Sequence, residues 1–240
     1  MPLRLTDADE HLHDPDPASR WTEAYGFEFV TVDRSLAGFV VMSVHPDARR
    51  SWCWAAVAGR QRPSCVVDEP EAPLPRRAAM ELRAPALWVD VEIEVPFVHA
   101  TVGMEAFGLS FDDPDEALRT GRGEPTPFGL DLEWESDHGR PEPDGSPDAS
   151  GYRLDCRVTG EVLVGAEQHE LDCAGRRWHR WGPLPWWELQ PVVPSSSPVW
   201  VGAQVPFPLP DPVEVRATLD DDGWTLARRW LPGAAEMGPA

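Results

Sequence analysis

The sequence predicts an all-β protein, and three of its features carry that prediction. Its 27 prolines are spread along the 240 residues, leaving runs too short for long helices but suited to strands and loops. Many of those runs alternate apolar and polar residues with period two, the repeat of a strand with one buried face. Gly, Asp and Pro clusters cut them into roughly twelve short segments, a spacing typical of β-sandwiches and β-barrels.

Taken in order, Tyr25–Val32 sets Phe27, Phe29 and Thr31 against Glu28, Val30 and Val32. Gly38–Val44 is apolar on both faces, so it belongs in the middle of a sheet. Ser51–Gly59 puts Trp52 and Trp54 on one face. Arg76–Arg83 has the composition of a helix, but Pro75 and Pro85 bracket it and limit it to about two turns. Leu87–Val95 is the cleanest strand: Val89, Val91, Ile93 and Val95 face one way, Asp90, Glu92 and Glu94 the other. Thr101–Phe111 continues the sheet. Asp115–Thr120 predicts a single helical turn with Asp112 and Asp113 near its N-terminus. In Gly129–Glu135, Leu130, Leu132 and Trp134 oppose Asp131, Glu133 and Glu135.

Residues 137–150 are polar and rich in proline and glycine, and read as a linker or long loop. They suggest one interrupted large β unit or, as the preferred division, an N-terminal β unit, residues 1–136, and a C-terminal β unit, residues 151–240. In the second unit Tyr152, Leu154, Cys156 and Val158 alternate as far as Gly160. Glu161–Val164, a turn at Gly165 and Ala166, and Glu167–Leu171 then form a hairpin. Val199–Val205 is a strand, and Val213–Leu219 and Trp224–Trp230 form a last hairpin across Asp220–Gly223.

The formal net charge is −20, from 41 acids against 21 bases, and every base is arginine. Such an acidic chain has little with which to neutralise phosphates, so nucleic acid and anionic membrane surfaces are excluded as partners. No apolar run approaches the ~20 residues of a membrane span, and no membrane insertion is expected. The first ten residues contain no apolar stretch of the kind a secretory leader needs, so a cytoplasmic location is expected. Cys53, Cys65, Cys156 and Cys173 lack close Cys-x-x-Cys spacing and read as free, buried thiols. No cofactor and no metal are called for. His11 and His13, with Asp14 and Asp16 nearby, are too weak a pattern for a metal site and read as a solvated N-terminal arm.

No phosphate-binding loop, dinucleotide fingerprint, Gly-x-Ser-x-Gly or His-Glu-x-x-His is present. The distinctive segment is Gly175–Trp187. It packs four tryptophans, one histidine and three arginines into thirteen residues. One reading is a tryptophan-rich core corner with arginines stacked on the rings. The other is a binding wall, in which Arg177, Trp178, Trp181, Trp186 and Trp187, joined by Trp134, offer rigid apolar surface. His179 is the only side chain of the segment that exchanges a proton near neutral pH. Glu105 and Asp131, on strand positions elsewhere, are reserve acids if they face inward.

At this segment the chain resembles the lipocalin-related group of AttH-like proteins and carotenoid hydratases, in particular its actinobacterial members. Those carry Gly-x-Arg-Asp-His-Ser-Trp-Gly-x-Arg-Asp-Trp after a hairpin, and this chain keeps Gly175, Arg177, His179, Trp181, Gly182 and Trp186. Residues 113–118 (DPDEAL), 127–135 (PFGLDLEWE), 156–165 (CRVTGEVLVG) and 21–29 (WTEAYGFEF) fit as well. The resemblance implies two lipocalin-like β units packed together around an aromatic ligand cavity. It also implies hydration, isomerisation or cyclisation of polyene, terpenoid or polyketide substrates without a redox cofactor. The acids of the motif are replaced: Trp178 precedes the histidine, Arg180 follows it, and Leu184-Pro185 stands for the Arg-Asp pair. Three readings follow. The chain is an enzyme with His179 exchanging the proton, a non-catalytic carrier of an apolar molecule, or a structural relative whose tryptophans are only core.

Overall fold

The computed structural model describes residues 5–16, 21–59, 62–76, 79–113, 116, 122–137, 140–143, 150–183, 188–191, 200–205, 213–220 and 223–230. Strands make up most of them, and the all-β expectation holds. A short 3-10 turn, Asp7–Glu10, precedes the first strand. The strands are β1 (Thr22–Val30), β2 (Ala37–His45), β3 (Arg50–Ala58), β4 (Ser64–Ala72), β5 (Met80–Ala84), β6 (Leu87–Val95), β7 (His99–Phe111) and β8 (Glu124–Glu135). They continue with β9 (Glu142–Pro143), β10 (Ser150–Val164), β11 (Glu167–Gly182), β12 (Glu188–Pro191), β13 (Trp200–Val205), β14 (Val213–Asp220) and β15 (Gly223–Trp230). The helical turn expected at 115–120 lies outside the described residues apart from Glu116. No helix among the described residues is long and apolar enough to cross a membrane.

Eight of these strands close on themselves. The ladder runs β4-β3-β2-β1-β11-β10-β8-β7, every pair antiparallel. The pairs Ser64↔Phe111, Cys65↔Ser110 and Val66↔Leu109 then join β4 back to β7. Read in chain order the circuit is a simple meander, the topology of an up-and-down barrel with the strand number of lipocalins. It draws strands from both sides of residues 137–150. The β5–β6 hairpin is an excursion between β4 and β7. It pairs with the first half of β7, so β4 meets β7 only near the end of that strand.

Alternation sorts the side chains. Tyr25, Phe27, Phe29, Met42, Leu132 and Trp134 belong to the interior core. The residues between them on β1, β2 and β3 point outward, yet Phe39, Val41, Trp52, Trp54 and Trp178 are buried too. Ala217 and Leu219 of β14 pack into this outer cluster. The second sheet, β12-β15-β14-β13, therefore covers the outer face of the barrel there. That covering explains why β2 is apolar on both faces, as its sequence predicts. Trp52 and Trp54 stack at 5.7 Å in this outer layer. All four cysteines are free and buried.

Four strands escaped the sequence reading, the short β9 and β12 and the longer β4 and β5. β4 hides behind Asp68, Glu69, Pro70 and Glu71, and Pro70 falls where the β3–β4 register slips between Cys53↔Glu69 and Ser51↔Ala72. A proline is tolerated in a ladder at such an irregularity. β5 takes residues of helix-like composition and pairs them with β6, whose partnership outweighs local propensity.

Close approach fixes Gly26. A Cβ there would lie 2.0 Å from the Trp178 indole, which the Glu28 carboxylate holds at 2.7 Å from Nε1. Gly26→Ala is expected to lower unfolding free energy by about 1–3 kcal/mol in a denaturant titration, the cost of overpacking a fixed ring. A second expectation concerns acid. Burial and the nearby Arg50 charge push His45 down to about 4, so the folded chain keeps it neutral. As pH falls through ~6.5 the unfolded chain takes up this proton first, so the stability complete above pH 7 is lost toward pH 4. For this group alone the loss is about 2 kcal/mol at pH 5, and His45→Gln should reduce the difference between denaturant midpoints at pH 7.5 and 5 accordingly.

Candidate functional site

The spacing of the Gly175–Trp187 segment is strand spacing. Residues 167–182 form β11, so Gly175, Arg177, His179 and Trp181 fall on one face and Arg176, Trp178 and Arg180 on the other. The first face looks into the barrel. Across the β1–β11 ladder Arg177 pairs with Phe27, His179 with Tyr25 and Trp181 with Glu23. On the other side Arg177 pairs with Leu154, His179 with Tyr152 and Trp181 with Ser150. A layer Tyr25–His179–Tyr152 therefore crosses three neighbouring strands. Gly175 is the small member of the row: a Cβ there would lie 2.3 Å from the Glu28 carbonyl oxygen. Its smallness leaves room for the Trp134 indole, whose Nε1–H donates to that carbonyl at 3.2 Å.

The segment before β1 closes this end of the barrel. Leu5 and Leu12 pack onto the interior core. Glu10 is fully buried and accepts two hydrogen bonds from Arg177 Nη1, at 2.7 and 3.0 Å, and one from the Tyr152 hydroxyl. This corrects the expectation of a solvated arm. The segment buries a carboxylate because a guanidinium waits for it, the only terms on which such a charge enters a core.

Around this plug a second cluster forms. His179 is fully buried; its Nδ1 lies 2.8 Å from the Asp9 carbonyl oxygen and its Nε2 2.9 Å from Glu23 Oε1. His13, about one-fifth exposed, places Nδ1 2.8 Å from the same Glu23 oxygen and Nε2 3.2 Å from Asp9 Oδ1. Glu23 also accepts the His13 backbone N–H and the Trp21 indole N–H. The rings are locked by stacking: Tyr25 lies on His179 at 3.8 Å and Trp181 on His13 at 4.2 Å, with Tyr152 edge-on to His179. Burial alone would raise the Glu23 carboxyl, but bonds from His13 and His179 outweigh it and hold it at about 2. Burial lowers His179 despite Glu23, whereas His13, less buried, is raised by Glu23 and Asp9. Burial holds the Tyr25 phenol well above its ordinary value, so it stays an O–H donor.

The sequence-predicted residues divide. Arg177, His179 and Trp181 meet at this mouth. Trp178 lies on the outer face, 5.2 Å beneath the Arg180 guanidinium, and Trp134 is packed against Phe27 in the core. Glu105 and Asp131 are exposed on the outer faces of β7 and β8, away from His179. Trp186 and Trp187 lie outside the described residues. Glu10, His13, Glu23, Tyr25 and Tyr152 were not read as site residues. Glu23 carried a signal: it sits two positions before Tyr25, Phe27 and Phe29, an acid on an aromatic face. His13 carried only a weak His-x-His pattern, and Glu10 carried none, because its partners Tyr152 and Arg177 are more than 140 residues away.

Two clefts open on the described surface. One, about 680 Å³, is bordered by Glu135, Arg153, Arg157 and Asp172. The other, about 440 Å³, has a floor of Leu12, Met80, Val91 and Ile93, all packed with the interior core, and a rim of His11, Asp90 and Glu92.

The family model described as "Domain of unknown function (DUF7064)" matches residues 6–196. The chain belongs to this DUF7064 family. The match takes in the plug, the eight barrel strands and the whole mouth. No curated protein matches the chain. Among solved structures it is similar to CghA with Sch210972, at 11% identity and a TM-score of 0.41, over 87% of this chain and 56% of that one. CghA in a second structure gives 12% identity and a TM-score of 0.39, over 87% and 57%. The chain thus spans a little over half the length of CghA.

The ion pair behind the mouth of this DUF7064 chain sets a stability test. Glu10→Gln leaves the Arg177 charge buried without its counter-ion, and is expected to cost about 3–5 kcal/mol by denaturant unfolding. Tyr152→Phe, which removes one neutral donor, should cost about 1 kcal/mol.

Proposed function

We propose that the barrel mouth takes up a largely apolar small molecule bearing an oxygen function, of the polyene, terpenoid or polyketide kind. On this reading the chain catalyses its hydration, isomerisation or cyclisation. The observation that carries it is a set of unsatisfied polar atoms in an aromatic interior. Arg177 Nε and Nη2 and the Tyr25 hydroxyl are buried with no hydrogen-bond partner among the described residues. Buried polar groups are paired as a rule, and leaving one unpaired costs about 1–3 kcal/mol. A carbonyl or hydroxyl oxygen of a ligand would satisfy donors from both strands at once. The rest of such a ligand would meet the apolar floor of the neighbouring cleft, whose volume suits a small molecule. The resemblance to AttH-like proteins and carotenoid hydratases supplies the reaction classes, and the carboxylates its motif lacks here are replaced by Glu23 and Glu10 from other strands and turns.

A non-catalytic carrier is the second reading. The full burial of His179 favours it, since both ring nitrogens already face protein oxygens.

Tyr25→Phe separates ligand binding from folding, because the hydroxyl it removes has no partner to lose among the described residues. The purified chain, incubated with an apolar extract and analysed by mass spectrometry, should retain a compound carrying oxygen. Tyr25→Phe should keep its unfolding midpoint but bind that compound about 5-fold more weakly, the worth of one hydrogen bond. Equal retention by both chains would sink the proposal. A compound recovered unchanged after long incubation would select the carrier.

A further inference from the structure

The cluster at the mouth gathers three side chains able to hold a metal ion. His13 Nδ1, His179 Nε2 and a Glu23 oxygen lie within 4.8 Å of one another, two buried groups and one that reaches solvent. The far nitrogen of each ring already has an acceptor. His179 Nδ1 donates to the Asp9 carbonyl, and His13 Nε2 faces the Asp9 carboxylate. A carbonyl can only accept, so a neutral His179 carries its proton on Nδ1 and turns the lone pair of Nε2 toward Glu23 Oε1, 2.9 Å away. The same tautomer logic turns the Nδ1 lone pair of a neutral His13 toward that oxygen, 2.8 Å away. With both rings neutral, three electron-rich atoms converge on one point, a conflict that a proton on a ring or a metal cation between the atoms relieves.

We propose that His13, Glu23 and His179 bind a first-row divalent transition-metal ion. Two imidazoles and a carboxylate form a ligand set used by zinc with an open fourth position and by non-haem iron(II). Bonds of about 2.1 Å in a tetrahedron set ligand atoms roughly 3.4 Å apart, so the Glu23 carboxylate has to withdraw by about half an ångström and the two rings, whose ligand atoms lie within 4.8 Å of each other, have to settle around the ion. The surroundings are those of a metal site. Each histidine is oriented through its remote nitrogen, one by a backbone carbonyl and one by a carboxylate, the usual outer shell of metal-bound imidazole. The Trp21 indole N–H holds the second Glu23 oxygen. Tyr25 and Trp181 fix the ring planes by stacking. Partial exposure of His13 supplies an entry path.

The site does not depend on the small-molecule reading; a chain that retains no apolar compound can still bind the ion. The test therefore needs no substrate. The full chain is treated with chelator, dialysed, and titrated with Zn²⁺ by calorimetry and with Co²⁺ by visible absorption. One equivalent of each should bind, with Co²⁺ giving the d–d bands of a low-coordinate nitrogen and oxygen site. His13→Ala, at the partly exposed position, should keep the fold by circular dichroism and lose tight binding. Glu23→Gln should do the same. Asp9→Asn, which weakens the orientation of His13 and the Thr6 cap of the turn but removes no ligand atom, should bind about 10-fold more weakly. His99→Ala, at a histidine on β7 that pairs with Glu94, serves as the control and should bind as the parent does. Absence of stoichiometric binding in the parent chain overturns the proposal. So does binding that survives both His13→Ala and Glu23→Gln, since the ion then sits elsewhere.

Discussion

The mouth of the barrel depends on one buried ion pair. Glu10 enters the core because Arg177 is there, and the pair brings the rest of the segment before β1 with it. Once Glu10 is fixed, the Asp9 carbonyl has a defined position against His179, and His13 has one against Glu23 and Trp181. A pair of this kind contributes little to stability by itself, since desolvation of both charges offsets most of their attraction. Its effect is on position. It converts a polar, acidic stretch of chain into the fourth wall of a cluster that the barrel strands supply only in part.

The tryptophans illustrate how one strand serves two compartments. Along the last part of β11 the odd positions face the barrel and the even positions face outward, where Trp178 meets the second sheet. Trp181 and Trp178 are three residues apart and never share a surface. Trp178 anchors the outer layer through Glu28, while Trp181 covers His13 at the mouth. A concentration of aromatic residues in sequence is therefore not a concentration in space, because a strand deals them alternately to opposite faces.

This bears on what the sequence could disclose. Period-two alternation located β1, β3, β6, β7, β8 and the β10–β11 hairpin, since each places apolar residues on a face that is buried in the barrel, and apolar character on both faces located β2. It failed for β4 and β5, where charged residues or helix-like composition mask strands whose stability comes from their partners. The mouth was legible along β11, whose functional side chains recur every second residue. Glu23 was legible in principle from the face it shares with Tyr25. Glu10 was not, because nothing local marks a carboxylate in a 3-10 turn as destined for a core, and the His-x-His pattern of His13 gave no hint of its partners. Glu105 and Asp131 show the converse: strand acids in strict alternation are solvent-facing by the same rule that buries their neighbours.

The distances along the chain have a consequence for how the molecule comes into being. Hairpins such as β2–β3 and β10–β11 join residues near in sequence and can close early, whereas Asp9 and His179 are 170 residues apart. During synthesis the segment carrying Asp9, Glu10 and His13 is made first, and apart from Glu23 its partners Tyr152, Arg177 and His179 arrive only when β10 and β11 have emerged. Closing so long a loop is entropically costly, so contacts across it form after the local ones have reduced the effective separation. The cluster at the mouth is thus a late product of folding. A chain that reaches it has already registered its barrel strands correctly, which makes the site a report on the completed fold.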